Sequence, residues 1–344
     1  LIVGGGIVGA TTALFYKETF PDHSVLLVDK GEMPEGASTR NAGFACIGSV
    51  SEHLADMNTA DEEIVYGRIK RRWNGLNLLK ETMGKESIGY EHTGGYEIFT
   101  EDDIFEQCRD RIPEINRQLQ ERIGLGEVYR ATEFEGHSAI FNRLEGAINT
   151  GKMMRHLHER VARSGVTVRW NCRLTSITNG TVTFDNGREM TPQKIVLATN
   201  GFSKHLANLP VKPARGYVFV TNPIEDLKWK GTFHYNEGYT YFRNVGERLL
   251  IGGARNIAMK EEETDSFGVN PAIKEYLVKF VNETLHLPDG WTVDQEWSGI
   301  MGMTDDKEPI IQEIEPGMFA AVGLSGMGIA IGMQVAKDLV EGLG

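Results

Sequence analysis

The chain has 344 residues, enough for two domains or one large layered unit, and its 40% hydrophobic and 24% charged residues are those of a soluble globular protein. A net charge of −12 without a long Lys/Arg stripe argues against nucleic acid as a partner, and the basic run Arg68 to Arg72 reads as a solvated helix face. Three scattered cysteines, Cys46, Cys108 and Cys172, make neither a disulfide framework nor a zinc site and point to a reducing, cytoplasmic compartment.

Leu1-Ile2-Val3 is an apolar strand that runs into Gly4-Gly5-Gly6-Ile7-Val8-Gly9 and then a helix predicted over about 7–19. This G-x-G-x-x-G presents bare backbone to a pyrophosphate: Gly4 for the tight turn, Gly6 for close approach of phosphate, Gly9 for close helix packing. The helix N-terminus adds its dipole and free N–H groups. Ser24 to Val28 reads as the second strand, with Asp29 at its end to accept hydrogen bonds from a ribose. A small-residue loop, Gly36 to Ser49, follows. Helical periodicity covers 62–83 and 102–123, with a short β-like stretch at 91–99, and a further helix is expected over 149–164.

From Gly165 the pattern changes to strands at 166–170, 173–178 and 181–184, with a hairpin signal at Asp185-Asn186-Gly187. Lys194 to Gly201 is a buried strand ending in a polar turn. Alternating aromatic and polar residues between Val211 and Gly253 predict an antiparallel sheet, and 271–286 a helix. Met318 to Gly323 is a last strand before a helix over 326–339. No apolar run reaches the ~18–20 residues of a membrane span. Residue 1 already lies within the first strand, which leaves a preceding targeting segment open.

Four segments in order resemble one family: the flavin-dependent amine and amino-acid oxidoreductases related to D-amino-acid oxidase, glycine oxidase and sarcosine oxidase. They are the unit from Gly4 to Asp29, the loop Gly36-Ala37-Ser38-Thr39-Arg40-Asn41-Ala42-Gly43-Phe44, the strand end Ala198-Thr199-Asn200-Gly201, and the stretch from Trp297-Ser298-Gly299 to Gly326-Met327-Gly328. The resemblance implies an α/β fold (α+β overall). An FAD-binding Rossmann-like domain would comprise 1–88, 145–205 and 299–344, with an inserted antiparallel-sheet substrate domain made of 89–144 and 206–298. It implies FAD contacts from Gly4, Gly6, Ile7, Val8, Gly9, Asp29 and Lys30, and from Ser38, Thr39, Asn41, Ala42, Gly43 and Phe44. Leu174, Thr199, Asn200 and Gly201 join them, as do Gly326, Met327 and Gly328. The last helix N-terminus would face the flavin's pyrimidine edge, where charge collects on reduction. No second G-x-G-x-x-G appears mid-chain, so the electrons are expected from an organic substrate and not from a nicotinamide.

By the same resemblance, the reaction is hydride transfer from a carbon bearing nitrogen to flavin N5, giving an imine that water hydrolyses. The partners are then a small amine or amino acid and oxygen or another electron acceptor. A carboxylate-binding arginine is implied shortly after Trp297-Ser298-Gly299, but Met301 stands there. Met301 also replaces the cysteine that bonds flavin in sarcosine-oxidase-like members, so FAD is expected to be non-covalent. Ala330 stands where some members carry a substrate-binding lysine. The strand near Leu250 has no lysine for oxygen activation, which favours a dehydrogenase. The remaining candidates leave alternatives open: Arg40, bonded to loop carbonyls or phosphate, or touching substrate; Arg243, lining the cavity or bridging within the sheet; and Arg215, structural. Tyr217, Phe219, Tyr239 and Tyr241 either wall an aromatic pocket or pack a sheet face, and Cys46 is near the flavin or a buried small thiol. His137 and His234 have no visible partner in the sequence and are expected to be solvent-exposed or satisfied, so no acid–base residue is assigned.

Overall fold

In the computed structural model, which describes residues 1–343, the opening strand Ile2–Val3 lies inside a six-stranded sheet. Its parallel neighbours are Leu26–Val28 and Ile195–Leu197; Thr167–Arg169 extends one side and Met318–Val322 the other, where Ile310–Glu315 closes the edge antiparallel. Such short apolar strands must be covered on both faces, because parallel crossovers bring helices onto the sheet. Alternation divides them. Ile2, Leu27 and Val196 join a core with the helices Ile7–Thr19, Glu62–Met83, Thr150–Arg163 and Gly328–Gly342. Val3, Val28 and Leu197 point the other way, onto Leu174, Val182 and Phe184 of a three-stranded sheet.

A second, eight-stranded sheet runs in the order Val293–Met303, Lys212–Thr221, Arg248–Gly253, Thr240–Val245, Thr232–Tyr235, Gly95–Phe99, His137–Asn142, Tyr129–Phe134. Every pairing in it is antiparallel except that of Thr232–Tyr235 with Gly95–Phe99. Its core stacks Phe233 on Phe242, with ring centroids 4.8 Å apart, beneath Leu277 and Phe280 of the helix Pro271–Glu283. The fold class is therefore the expected one: a Rossmann-like α/β unit interrupted by a mainly antiparallel sheet.

One expected boundary cuts an element that the structure keeps whole. Val293–Met303 is one unbroken strand across 298/299, because its ladder to Lys212–Thr221 continues through Gly299 opposite Gly216. The helix Asp102–Ile123, expected with the inserted sheet, packs on its strands Gly95–Phe99, Tyr129–Phe134 and His137–Asn142, and its Cys108, Ile112, Ile115 and Leu119 join a core shared with Glu62–Met83. The hairpin joining Tyr129–Phe134 to His137–Asn142 was not anticipated, because its turn uses Glu135 (φ 44°) before Gly136 (φ 82°) in place of an Asn-Gly signal. No helix among the described residues is long and apolar enough to cross a membrane.

Candidate active site

Gly4 turns with φ +106° and donates its N–H to the Val28 carbonyl at 2.8 Å. A Cβ on Gly9 would overlap the Gly4 carbonyl oxygen, so the helix lies directly on the turn. Asp29 braces the same turn, its carboxylate accepting from Gly5 N (2.7 Å) and Gly31 N (3.0 Å), while Ser38 Oγ accepts from Ile7 N at 3.0 Å. A turn bonded on so many sides is pre-organised before any phosphate arrives.

One cavity of about 1200 Å³ starts from this turn. Its wall includes Gly4, Gly6, Ile7, Val8, Asp29, Lys30, Ser38, Asn41, Ala42, Gly43, Phe44, Leu174, Thr199, Asn200, Gly326, Met327 and Gly328. Asn200 holds two distant segments together, since its Oδ1 accepts from Gly323 N (2.9 Å) and Leu324 N (3.4 Å). Three residues expected to touch the cofactor are not on the wall. Gly9 packs on Gly4, a Cβ on Gly201 would overlap the Met301 carbonyl oxygen, and the Thr39 hydroxyl donates to Pro34 O at 2.6 Å. The cradle fits FAD: a Cβ on Gly6 would intrude to within 2.8 Å of Ser38 Oγ, and both glycine-rich helix starts open on one continuous space.

Among the substrate candidates, Arg40, Cys46, Tyr241 and Met301 line the cavity, whereas Tyr217 and Arg243 do not. The strand period decides Tyr217: Gly216 and Val218 face the cavity, so Tyr217 and Phe219 face the core, and Tyr217 donates its hydroxyl to Glu296. Arg243 holds the flavin-proximal loop from behind, donating to Ala42 O (2.6 Å) and Ile148 O (3.2 Å). Arg40 donates to Ser298 O at 3.3 Å and lies 4.5 Å over the Phe267 ring. Arg215 is structural, paired with the buried Glu262 at 2.7 Å.

A buried polar network adjoins this wall, and the sequence reading missed it. Ser49 caps the helix Val50–Met57, which carries Glu52, His53 and Asp56. Arg72 is 5% exposed and donates to Glu52 (2.8 Å) and to Ile47 O (3.0 Å). Arg68 pairs with Asp56 (3.3 Å) and Glu308 (2.9 Å). The basic run is therefore solvated only at Lys70 and Arg71, while Arg68 and Arg72 turn inward. Arg68 and Arg72 stand four residues apart on the stripe that also buries Val65, Ile69 and Leu76, a spacing that signals the inward face. His53 Nε2 lies 2.8 Å from the Tyr129 hydroxyl, which donates to Gly48 O, and Glu97 accepts from Ser49 Oγ at 2.9 Å.

His234, expected to be exposed or satisfied, is the latter, with a definite partner: its Nε2 lies 2.6 Å from Glu145 Oε1, and both are buried. Cys46, Glu145 and His234 gather with one polar atom each within 4.8 Å of the others. Burial opposes charge on Glu52, but Arg72, His53 and Lys307 outweigh it and hold the carboxyl down at about 2. Burial holds His53 down at about 4. On His234 burial again opposes charge, and Glu145, with Glu97 and Glu52 behind it, prevails and raises the imidazole above its ordinary value. Burial pushes the Tyr241 hydroxyl up to about 12 and the Cys46 thiol well above its usual range.

The family model described as FAD dependent oxidoreductase (DAO) matches residues 1–341. The chain is 20% identical over 372 residues to the probable oxidoreductase OrdL of Haemophilus influenzae, covering 99% of this chain and 82% of that protein. Iminodiacetate oxidase from Chelativorans sp. BNC1 superimposes with a TM-score of 0.80 at 17% identity, covering 98% of this chain and 93% of that one. Glycine oxidase from Geobacillus kaustophilus does so with 0.76 at 21% identity, covering 99% and 93%. L-Proline dehydrogenase from P. horikoshii gives 0.76 at 16% identity, covering 99% and 92%. Such identities establish the fold and leave the substrate to the site itself. With the phosphate turn, the small-residue loop and the last helix start converging on one cavity, and the family match running almost end to end, the chain belongs to the DAO family of FAD-dependent oxidoreductases.

Proposed function

We propose that the protein oxidises the C–N bond of a small amine or amino acid, the imine product then being hydrolysed by water. The observation that carries this reading is the wall beyond the flavin-proximal loop, where Cys46, Glu52, His234, Tyr241 and Met301 share the cavity with Phe44. Glu52 stays ionised there and complements an ammonium group. Bound FAD supplies the two-electron acceptor. The protein's own residues orient the substrate and exclude water: Tyr241 meets Phe44 edge-on with centroids 5.5 Å apart and closes the apolar side. Arg255 lies on the same wall without an ion pair among the described residues, which suits it to a substrate carboxylate in place of Met301. Solved relatives that act on glycine, proline and iminodiacetate are consistent with a nitrogen-bearing substrate.

An anaerobic absorbance titration of the yellow protein with amino acids, N-methyl amines, polyamines and hydroxy acids tests the reading. Bleaching by a nitrogen compound is the expected result, and the rate of reoxidation in air then separates oxidase from dehydrogenase. Bleaching by hydroxy acids alone would replace the amine with another substrate class. A flavin reduced by dithionite and by nothing in the panel would leave a non-catalytic flavoprotein.

We further propose that FAD is held non-covalently. Met301 offers a thioether where a thiol would be needed, and burial raises both wall thiols, Cys46 and Cys172, away from the reactive thiolate. Acid precipitation is expected to release all the flavin into the supernatant; yellow colour surviving in the washed pellet would refute this.

A further inference from the structure

We propose that His234, aligned by Glu145, accepts the proton from the substrate's ammonium nitrogen before the neighbouring C–H bond is oxidised. This deepens the functional reading above and rests on it. The chemistry needs such a group. An aliphatic amine with a pKa like that of lysine, ~10.4, is protonated in all but about one molecule in a few thousand at pH 7. A protonated nitrogen has no lone pair to support departure of hydride from the adjacent carbon.

The geometry supplies an acceptor. His234 sits on the strand Thr232–Tyr235 and lines the cavity, yet is only 8% exposed. Glu145, 1% exposed, bonds its Nε2 at 2.6 Å, which fixes the tautomer with the proton on Nε2. That leaves Nδ1 as the basic atom. It lies 3.9 Å from where a Cβ on the cavity-lining Gly238 would stand, and it has no hydrogen-bond partner among the described residues. The ring is held in place by Phe44, edge-on at 5.3 Å, from the flavin-proximal loop. The base thus packs directly against the flavin-proximal loop.

The charged and titratable groups around the imidazole come from every element packed on it. Glu97 stands opposite in the parallel pairing with Gly95–Phe99, and Tyr241 opposite in the antiparallel pairing with Thr240–Val245. Cys46 comes from the loop, Glu145 from the segment after His137–Asn142, and Glu52 from the helix Val50–Met57. Three carboxylates against one imidazole stabilise the imidazolium once it forms. In the step itself an N–H bond of the ammonium breaks and its electron pair stays on nitrogen. The proton passes to Nδ1, and Nε2–H remains bonded to Glu145. The C–H hydrogen would then leave with its electron pair as hydride, for which bound FAD would supply the acceptor, and the imidazolium later returns its proton to solvent.

The test compares wild type, His234→Asn and Glu145→Gln as purified flavoproteins, matched for flavin content and melting temperature. Reductive half-reaction rates with the best amine from the panel are measured from pH 5.5 to 9.5. Wild type is expected to show an acid limb with a midpoint above 6.5. His234→Asn should lose that limb and fall ~10²–10⁴-fold at pH 7, with the rate tracking the substrate's own ionisation. In Glu145→Gln the limb should move to lower pH with a reduced plateau. An NMR titration of ¹⁵N-histidine-labelled protein, with His234 assigned from the Asn variant, reads the pair without turnover. Its imidazole should titrate above 6.5 in wild type and lower in Glu145→Gln, and an unmoved titration would overturn the alignment. If wild type is reduced by an amine and His234→Asn keeps the same rates and profile, the proton role alone is overturned. If no amine reduces wild type, the functional reading itself falls and takes the proton role with it.

Discussion

Gly6→Val is expected to fold yet purify colourless. A Cβ at this position stands 2.8 Å from Ser38 Oγ, and the two methyls beyond it would fill the space at the start of the helix Ile7–Thr19. The Ser38 side chain can turn aside, at the cost of its 3.0 Å bond from Ile7 N, so the fold should tolerate the change. A pyrophosphate cannot, because it needs that space and those N–H groups together. The absorbance ratio of flavin to protein should fall at least tenfold, while far-ultraviolet circular dichroism stays that of wild type. Stoichiometric flavin in the variant would show that the turn does not cradle the cofactor.

Arg72→Leu should lower stability by ~3–5 kcal/mol at pH 7, the usual consequence of leaving a buried ion unpaired, and a large share of a domain's total. Leucine fits the apolar stripe of Val65, Ile69 and Leu76, so the loss would come from Glu52 and the Ile47 carbonyl and not from packing. The pH dependence separates the two. In wild type the Glu52 carboxyl is depressed to about 2, so its contribution is complete above its ordinary 4.5 and is lost as pH falls from there toward 2. His53, depressed by burial to about 4, is neutral in the fold, and its contribution is lost as pH falls from 6.5 toward 4. In both cases the unfolded chain binds the extra proton, so wild type should weaken on acidification by ~3 kcal/mol for each group. Without Arg72, which holds both groups down, both shifts shrink. Urea unfolding at pH 7 and pH 3 should therefore show the gap between variant and wild type narrowing with acid. A gap below about 0.5 kcal/mol at pH 7, or one unchanged at pH 3, would show that the pair is not holding the fold.

The nucleotide half was legible because its signals are local. The helices Ile7–Thr19, Glu62–Met83 and Asp102–Ile123 have the bounds their periodicity predicts. The turn between Val3 and Ile7 is made by adjacent residues, so its glycines could be read directly. Even there, a helix face can mislead: Arg72 lies in a basic run that reads as surface and is buried, and Asp102–Ile123 packs on the inserted sheet and on Glu62–Met83 together. Periodicity shows that a helix has an apolar face but not what that face meets.

The substrate half was much less legible. That Tyr217 turns inward while Gly216 and Val218 face the cavity depends on which side of the Lys212–Thr221 strand carries the core, and alternation by itself treats the two sides alike. Glu145 and His234 are 89 residues apart and meet only because Thr232–Tyr235 pairs in parallel with Gly95–Phe99, a crossover that no local signal announces. The sequence by itself determined that a flavin nucleotide site would form and which segments would build it, since bond geometry and short-range hydrogen bonds suffice for a phosphate turn. Which side chains face the substrate, and with what charge, was decided only by tertiary structure, because sheet register and burial set both the neighbours of each ionisable group and the energy of its charged form.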